Sequence, residues 1–153
     1  MTEFGLIDYL RQHFADVPSN GFEGIGDDCA IYPMANGQSL VVSCDALCED
    51  IHFIKSQITA TELARKALTV NLSDIAAMGA RPIASMLALS LPKGISEGWI
   101  QEFIDGYHAL SLQYGVPLIG GDTTASNGGI MLSITIFGIA PNANIKRRSA
   151  AQS

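Results

Sequence analysis

Basic residues are scarce in this chain: nine lysines and arginines stand against fifteen aspartates and glutamates, for a formal net charge of −6 and a pI of about 4.8. Neutralising nucleic-acid phosphates takes a basic face, so the deficit argues against a nucleic-acid partner. An acidic protein that binds phosphates needs metal ions to do it. Long apolar runs are also missing. The longest, PIASMLALSLP at 82–92, is bounded by prolines and falls well short of the roughly 20 residues that span a bilayer, so no membrane partner is expected. Glu3 and Asp8 stand where a signal peptide carries positive charge and then an apolar stretch, and the expected location is cytoplasmic. Cysteine is limited to three, an odd number that suits reduced thiols. No repeat or low-complexity segment occurs, and no Gly-x-x-x-x-Gly-Lys-Ser/Thr phosphate loop.

What is present is ample apolar material, 48% of 153 residues, enough for one domain with a sizeable core. FGLIDYLRQHF (4–14) places Leu6, Tyr9, Leu10 and Phe14 on one helical face. CAIYPM (29–34) and SLVVSCDAL (39–47), joined by the turn-like ANGQ, read as antiparallel strands, and CEDIHFIKSQ (48–57) as an ordered loop. Thr59 and Glu62 have capping-box spacing, and Gly79 and Pro82 close the helix they open. PIASMLALSLP reads as a strand covered on both faces. Ser96 caps a second long helix that ends at Gly115, with Ile100, Phe103, Tyr107 and Leu110 inward. VPLIGGD (116–122) and GIMLSITIFGIA (129–140) complete the strands. This order predicts an α/β (α+β) fold: a mixed β-sheet of about five strands with two long helices on one face. The other face is expected to be buried by a second copy in a homodimer.

Four acidic positions invite chemistry. GIGDDCA (24–30) sets Asp27 and Asp28 side by side, and like charges about 4 Å apart repel by roughly 4 kcal/mol at an effective dielectric of about 20. A folded chain keeps such a pair when solvent, a helix N-terminus or a cation offsets the repulsion. Asn71 and Asp74 fall inside the apolar arc of Leu63, Ala67, Val70, Ile75 and Met78, where an unpaired carboxylate costs several kcal/mol. Either Asp74 caps a loop with Asn71 in support, or it serves a metal or phosphate. Asp45 shares a strand face with Ser43, as a strand terminator or a ligand. IGGDTT (119–124) removes two side chains ahead of Asp122, which suits backbone approach to a bulky anion and also an ordinary turn. Hard oxygen ligands of this kind suit Mg²⁺ bridging carboxylates to phosphates. Cys44, Cys48 and His52 also raise zinc, but supply three soft ligands where a structural site uses four.

GIGDDCA, SCDALCEDIHF, ARKALTVNLSDIAAMGARP and LIGGDTT, in this order, closely resemble the N-terminal half of the thiamine-monophosphate kinase family, within the aminoimidazole ribonucleotide synthetase-like ATP-binding superfamily. The resemblance implies ATP-dependent phosphorylation of thiamine monophosphate to thiamine diphosphate. It implies that Asp28, Asp45, Asp74 and Asp122 hold several Mg²⁺ ions, completed by Ser43 and Cys44. Gly121, Asp122 and Arg148 would meet ATP, and His52 the substrate; Asp27 matches the motif without a direct ligand role. Cys44 stands where the family usually has threonine, so a role there rests on its backbone carbonyl. By the same resemblance, residues 1–140 form the ATP- and Mg²⁺-binding domain. Residues 141–153 begin a linker to a second domain, without which this half is expected to be inactive. The alternatives are a stand-alone nucleotide-binding dimerisation module and a relative acting on another acceptor.

Overall fold

The computed structural model describes residues 1–151. Three helices, α1 (Glu3–His13), α2 (Ala60–Ala77) and α3 (Glu97–Tyr114), accompany five strands. These are β1 (Ala30–Pro33), β2 (Gln38–Cys48), β3 (Arg81–Pro92), β4 (Leu118–Ser126) and β5 (Met131–Pro141). They form one mixed sheet of order β1-β2-β5-β3-β4, antiparallel except for the β3/β4 pair. A parallel pair needs a crossover, and α3 supplies it.

The period-2 pattern of the strands decides which face is covered. On β2, Ser39, Val41, Ser43 and Leu47 are buried, and on β5 Leu132, Ile134, Ile136 and Ala140. Against them α2 lays Leu63, Ala64, Ala67, Leu68 and Ile75. Full burial of each large aliphatic side chain contributes about 1.5–3 kcal/mol. The capping box forms: the Glu62 amide donates to Thr59 Oγ1 at 3.2 Å and the Thr59 amide to Glu62 Oε2 at 2.9 Å. α3 buries Phe103, Tyr107 and Leu110. It is pinned to the sheet by Tyr107, whose hydroxyl donates to Ser85 Oγ at 2.9 Å, and it ends on Gly115 in the left-handed region, φ 65°.

The structure refines these expectations. The N-terminal helix forms, with Thr2 as its cap, but none of its residues is buried; Leu6, Tyr9, Leu10 and Phe14 have periodicity without a covering partner among the described residues. Within a single chain β3 is covered on one face, and Met86 on the other remains 37% exposed. β4 begins at Leu118 and runs on to Ser126 as an exposed edge strand, so Asp122 sits mid-strand and not just after its end. Asp45 likewise lies inside β2, which continues to Cys48.

Candidate functional site

Asp27, Asp28, Asp45 and Asp74, but not Asp122, lie where β2, the last turns of α2, the 23–28 loop and the 142–151 segment meet. Ser43, on the helix-facing side of β2, donates its hydroxyl to Asp74 Oδ2 at 2.5 Å. Asn71 does not support Asp74. Its amide nitrogen bonds the Ala67 carbonyl one turn back, and its Oδ1 accepts the Asp45 backbone N–H at 3.2 Å. Asn71 therefore pins the β2 backbone beside Asp45 to α2, while Ser43 orients the Asp74 carboxylate.

The electrostatics are those of crowded anions. The Asp45 carboxyl lies above its ordinary value, first through burial and then through the Asp74 charge, with His52 pulling the other way. Beneath the loop, the Cys29 thiol is pushed up to about 12 by burial and by the charges of Asp74, Asp28 and Asp27. The charges of all three carboxylates act on this thiol in the same direction. The C-terminal end of α2, with no basic residue in its last turn, adds the negative pole of its dipole. Such a donor set of carboxylate and hydroxyl oxygens fits a hard divalent cation. Among the described residues, no three His, Cys, Asp or Glu side chains converge closely enough to hold one unaided.

The positive charge comes from the C-terminal segment. The Arg148 guanidinium pairs with Asp28 Oδ1, an arginine raised further toward permanent protonation chiefly by that hydrogen bond. Its backbone N–H points at Asp27, 3.2 Å from Oδ2, while Asp27 Oδ1 also accepts the Asp28 N–H at 3.0 Å. Asp27 therefore orders its own loop. The pairing of Arg148 with Asp28, 120 residues apart in sequence, had no signal in local spacing.

The remaining expected site residues are dispersed. Cys44 faces the opposite side of the sheet, its Sγ 3.2 Å from Ser133 Oγ, so only its backbone is available to the carboxylates. The three residues of the zinc reading do not converge. His52 is exposed, with Nδ1 accepting the Cys48 N–H at 3.0 Å and its carbonyl accepting from Lys66 Nζ. Gly121 and Asp122 lie on the far edge: the row through Asp45 runs by Ile134 and Leu87 to Gly121. That is three strand spacings, roughly 14 Å from β2. The glycine at 121 answers a steric demand within the sheet, because a Cβ there would lie 1.8 Å from the Leu87 carbonyl oxygen. Elsewhere, an apolar cavity of about 580 Å³, lined by Phe103, Tyr107, Ser111, Val116 and Leu118 among others, opens between α3 and β4. It shares no residue with the acidic site.

Comparison with known proteins bears on this arrangement. Residues 26–140 match the family model described as AIR synthase related protein, N-terminal domain. The chain is 42% identical over 154 residues to the thiamine-monophosphate kinase of Salmonella typhimurium, covering 98% of this chain and 45% of that protein. It is 41% identical over 153 residues to the Escherichia coli K12 enzyme of the same name, with the same coverage. A solved structure described as AaThiL complexed with AMPPCP and TMP superposes with a TM-score of 0.87 at 27% identity, over 98% of this chain and 45% of that one. The thiamine-monophosphate kinase structure from Stenotrophomonas maltophilia gives 0.70 at 43% identity, over 99% and 46%. The chain thus spans less than half the length of these relatives.

Proposed function

The chain belongs to the AIR synthase related protein, N-terminal domain, family, and from that premise we propose that it is the ATP- and Mg²⁺-binding half of a kinase converting thiamine monophosphate to thiamine diphosphate. The observation that carries this reading is the set of contacts joining Ser43 to Asp74, Asn71 to the Asp45 backbone and Arg148 to Asp28. The names of the relatives support it: thiamine-monophosphate kinases at 41–42% identity, and a related structure holding AMPPCP and TMP. In this reading residues 1–140 are the domain, 141–153 begin a linker to a second domain, the setting is cytoplasmic, and this half alone does not turn over.

Asp28, Asp45, Asp74 and Asp122 would hold Mg²⁺, with Ser43 and the backbone carbonyl of Cys44 completing the donor set. Bound Mg²⁺ neutralises phosphate charge and lets two anions approach. In the transfer, an oxygen of the thiamine monophosphate phosphate forms a bond to the γ-phosphorus of ATP. The bond from that phosphorus to the bridging oxygen breaks, and ADP leaves with the electron pair. The attacking oxygen is already anionic at neutral pH, so no general base is required. His52 positions the acceptor, Gly121 and Asp122 lie against the nucleotide phosphates, and Arg148 meets ATP. Catalysis is then positioning and charge neutralisation.

The outer sheet face favours a homodimer. Leu40, Val42, Phe137 and Ile139 are only half-buried there and Met86 is exposed, an apolar surface that a second copy would cover. Turnover with ATP, Mg²⁺ and thiamine monophosphate, assayed on this chain and on a version extended by the family's second half, tests the function. Activity of the extended protein is expected, and activity in neither overturns the reading. A chain that binds nucleotide and dimerises, with an extended form that stays inert, supports instead a binding module without turnover.

A further inference from the structure

Residues 142–148, which follow β5, are tied down at successive points. The Asn142 N–H bonds the Gly37 carbonyl at 3.0 Å, and Ser39 Oγ donates to Asn142 Oδ1 at 2.8 Å. Ile145 packs against the core, and the Lys146 N–H bonds the Met78 carbonyl at the end of α2. Two consecutive arginines then grip two points of the acidic loop. Arg147 holds Glu23 Oε2 through Nη2 at 2.5 Å and Nε at 3.2 Å. Arg148 takes Asp27 with its backbone and Asp28 with its guanidinium. The Asp28 side chain is 25% exposed, and Arg148 is its salt-bridge partner among the described residues.

A guanidinium keeps its proton at every accessible pH, so it competes with any cation for Asp28. The guanidinium pairs with Oδ1; a metal ion taking that oxygen displaces it, and the displaced fork is then free for a planar bidentate grip on a phosphate. We propose that Arg148 is the resident counter-ion of Asp28, held in place by Arg147 on Glu23, and that it exchanges with the divalent cation so that metal entry hands the guanidinium to the nucleotide. This rests on the metal-site reading above. It makes Arg147 and Glu23 positioning residues, and it couples the two ligands. Metal alone binds against the competitor, whereas metal with nucleotide binds without that penalty, because the arginine gains a new partner; the coupling is reciprocal.

The test titrates Mn²⁺ alone into this 153-residue chain, following free Mn²⁺ by electron paramagnetic resonance, and then repeats the titration with a non-hydrolysable ATP analogue. Removing an exposed competitor of this kind tightens Mn²⁺ binding about three- to fivefold. Arg148→Met is therefore expected to bind Mn²⁺ alone more tightly while losing affinity for the analogue. Arg147→Gln and Glu23→Gln should shift Mn²⁺ affinity in the same direction by less, and Arg148→Lys should fall between wild type and Arg148→Met. Unchanged or weaker Mn²⁺ binding by Arg148→Met overturns the exchange while leaving the metal site standing. No effect of Arg147→Gln and Glu23→Gln overturns the clamp. If neither wild type nor any variant binds Mn²⁺, the metal reading falls and the exchange falls with it.

Discussion

The Ser43 hydroxyl donates to Asp74 Oδ2 across 2.5 Å, joining the middle of β2 to the last turns of α2. The contact turns a carboxylate on an otherwise apolar helix face toward the strand that carries Asp45. Ser43→Ala removes a hydrogen bond to a charged group, a loss of about 1.5–3 kcal/mol. The expected result is a lower Tm together with weaker Mg²⁺-dependent nucleotide binding, measured by calorimetry.

Asp74→Asn separates charge from shape. The asparagine side-chain oxygen can still accept the Ser43 hydroxyl, so the circular dichroism spectrum and cooperative unfolding should be retained while Mg²⁺-dependent nucleotide binding is lost. Normal nucleotide binding by this variant would make the carboxylate structural.

The three free thiols differ in accessibility. Cys29 is 3% exposed with its thiol pushed up to about 12, whereas Cys44 is exposed on the outer sheet face. Since the thiolate is the nucleophile, alkylation of the native chain followed by mass spectrometry should label Cys44 well before Cys29. If a second copy covers the outer face, Cys44 labelling should slow as protein concentration rises; concentration-independent labelling counts against that dimer.

Gly121→Ala tests the β3/β4 junction. The added Cβ would sit 1.8 Å from the Leu87 carbonyl oxygen, a backbone atom that cannot step aside. A loss of about 3 kcal/mol or more is expected, seen as a marked fall in Tm, and a wild-type melting curve would refute the packing argument.

The Thr59 amide and hydroxyl hold the Glu62 carboxyl below its ordinary 4.5. A depressed folded value means that the contribution is present above the unfolded value and lost as pH falls through the folded one. The Tm difference between wild type and Glu62→Gln should therefore be largest near neutrality and shrink as pH is lowered through and below 4.5. A difference independent of pH would show that the charge plays no part in the cap.

Much of the fold was legible because it depends on local rules. The Thr59/Glu62 box, the Ser96 cap and the Gly115 stop each act within a turn of helix, and strand alternation in β2 and β5 needs only period 2. The extent of β4 was not legible. IGGDTT carries turn-forming residues, and only pairing with β3 keeps the chain extended to Ser126. Nor could the sequence say that Gly121 is demanded by Leu87, since that clash crosses from one strand to the next.

The candidate site divides along the same line. Residue types alone determined an acidic chain with oxygen donors at Asp28, Asp45, Asp74 and Asp122, and the hydrophobic pattern of α2 marked Asp74 as out of place. Tertiary structure decided the partnerships: Ser43 with Asp74, Asn71 with the backbone of Asp45, Arg148 with Asp28, and Cys44 turned to the opposite face. Propensity, capping and alternation act over a few residues and can be read along the chain. A hydrogen bond or charge pair between β2 and α2, or between the 23–28 loop and Arg148, exists only after packing brings distant segments together.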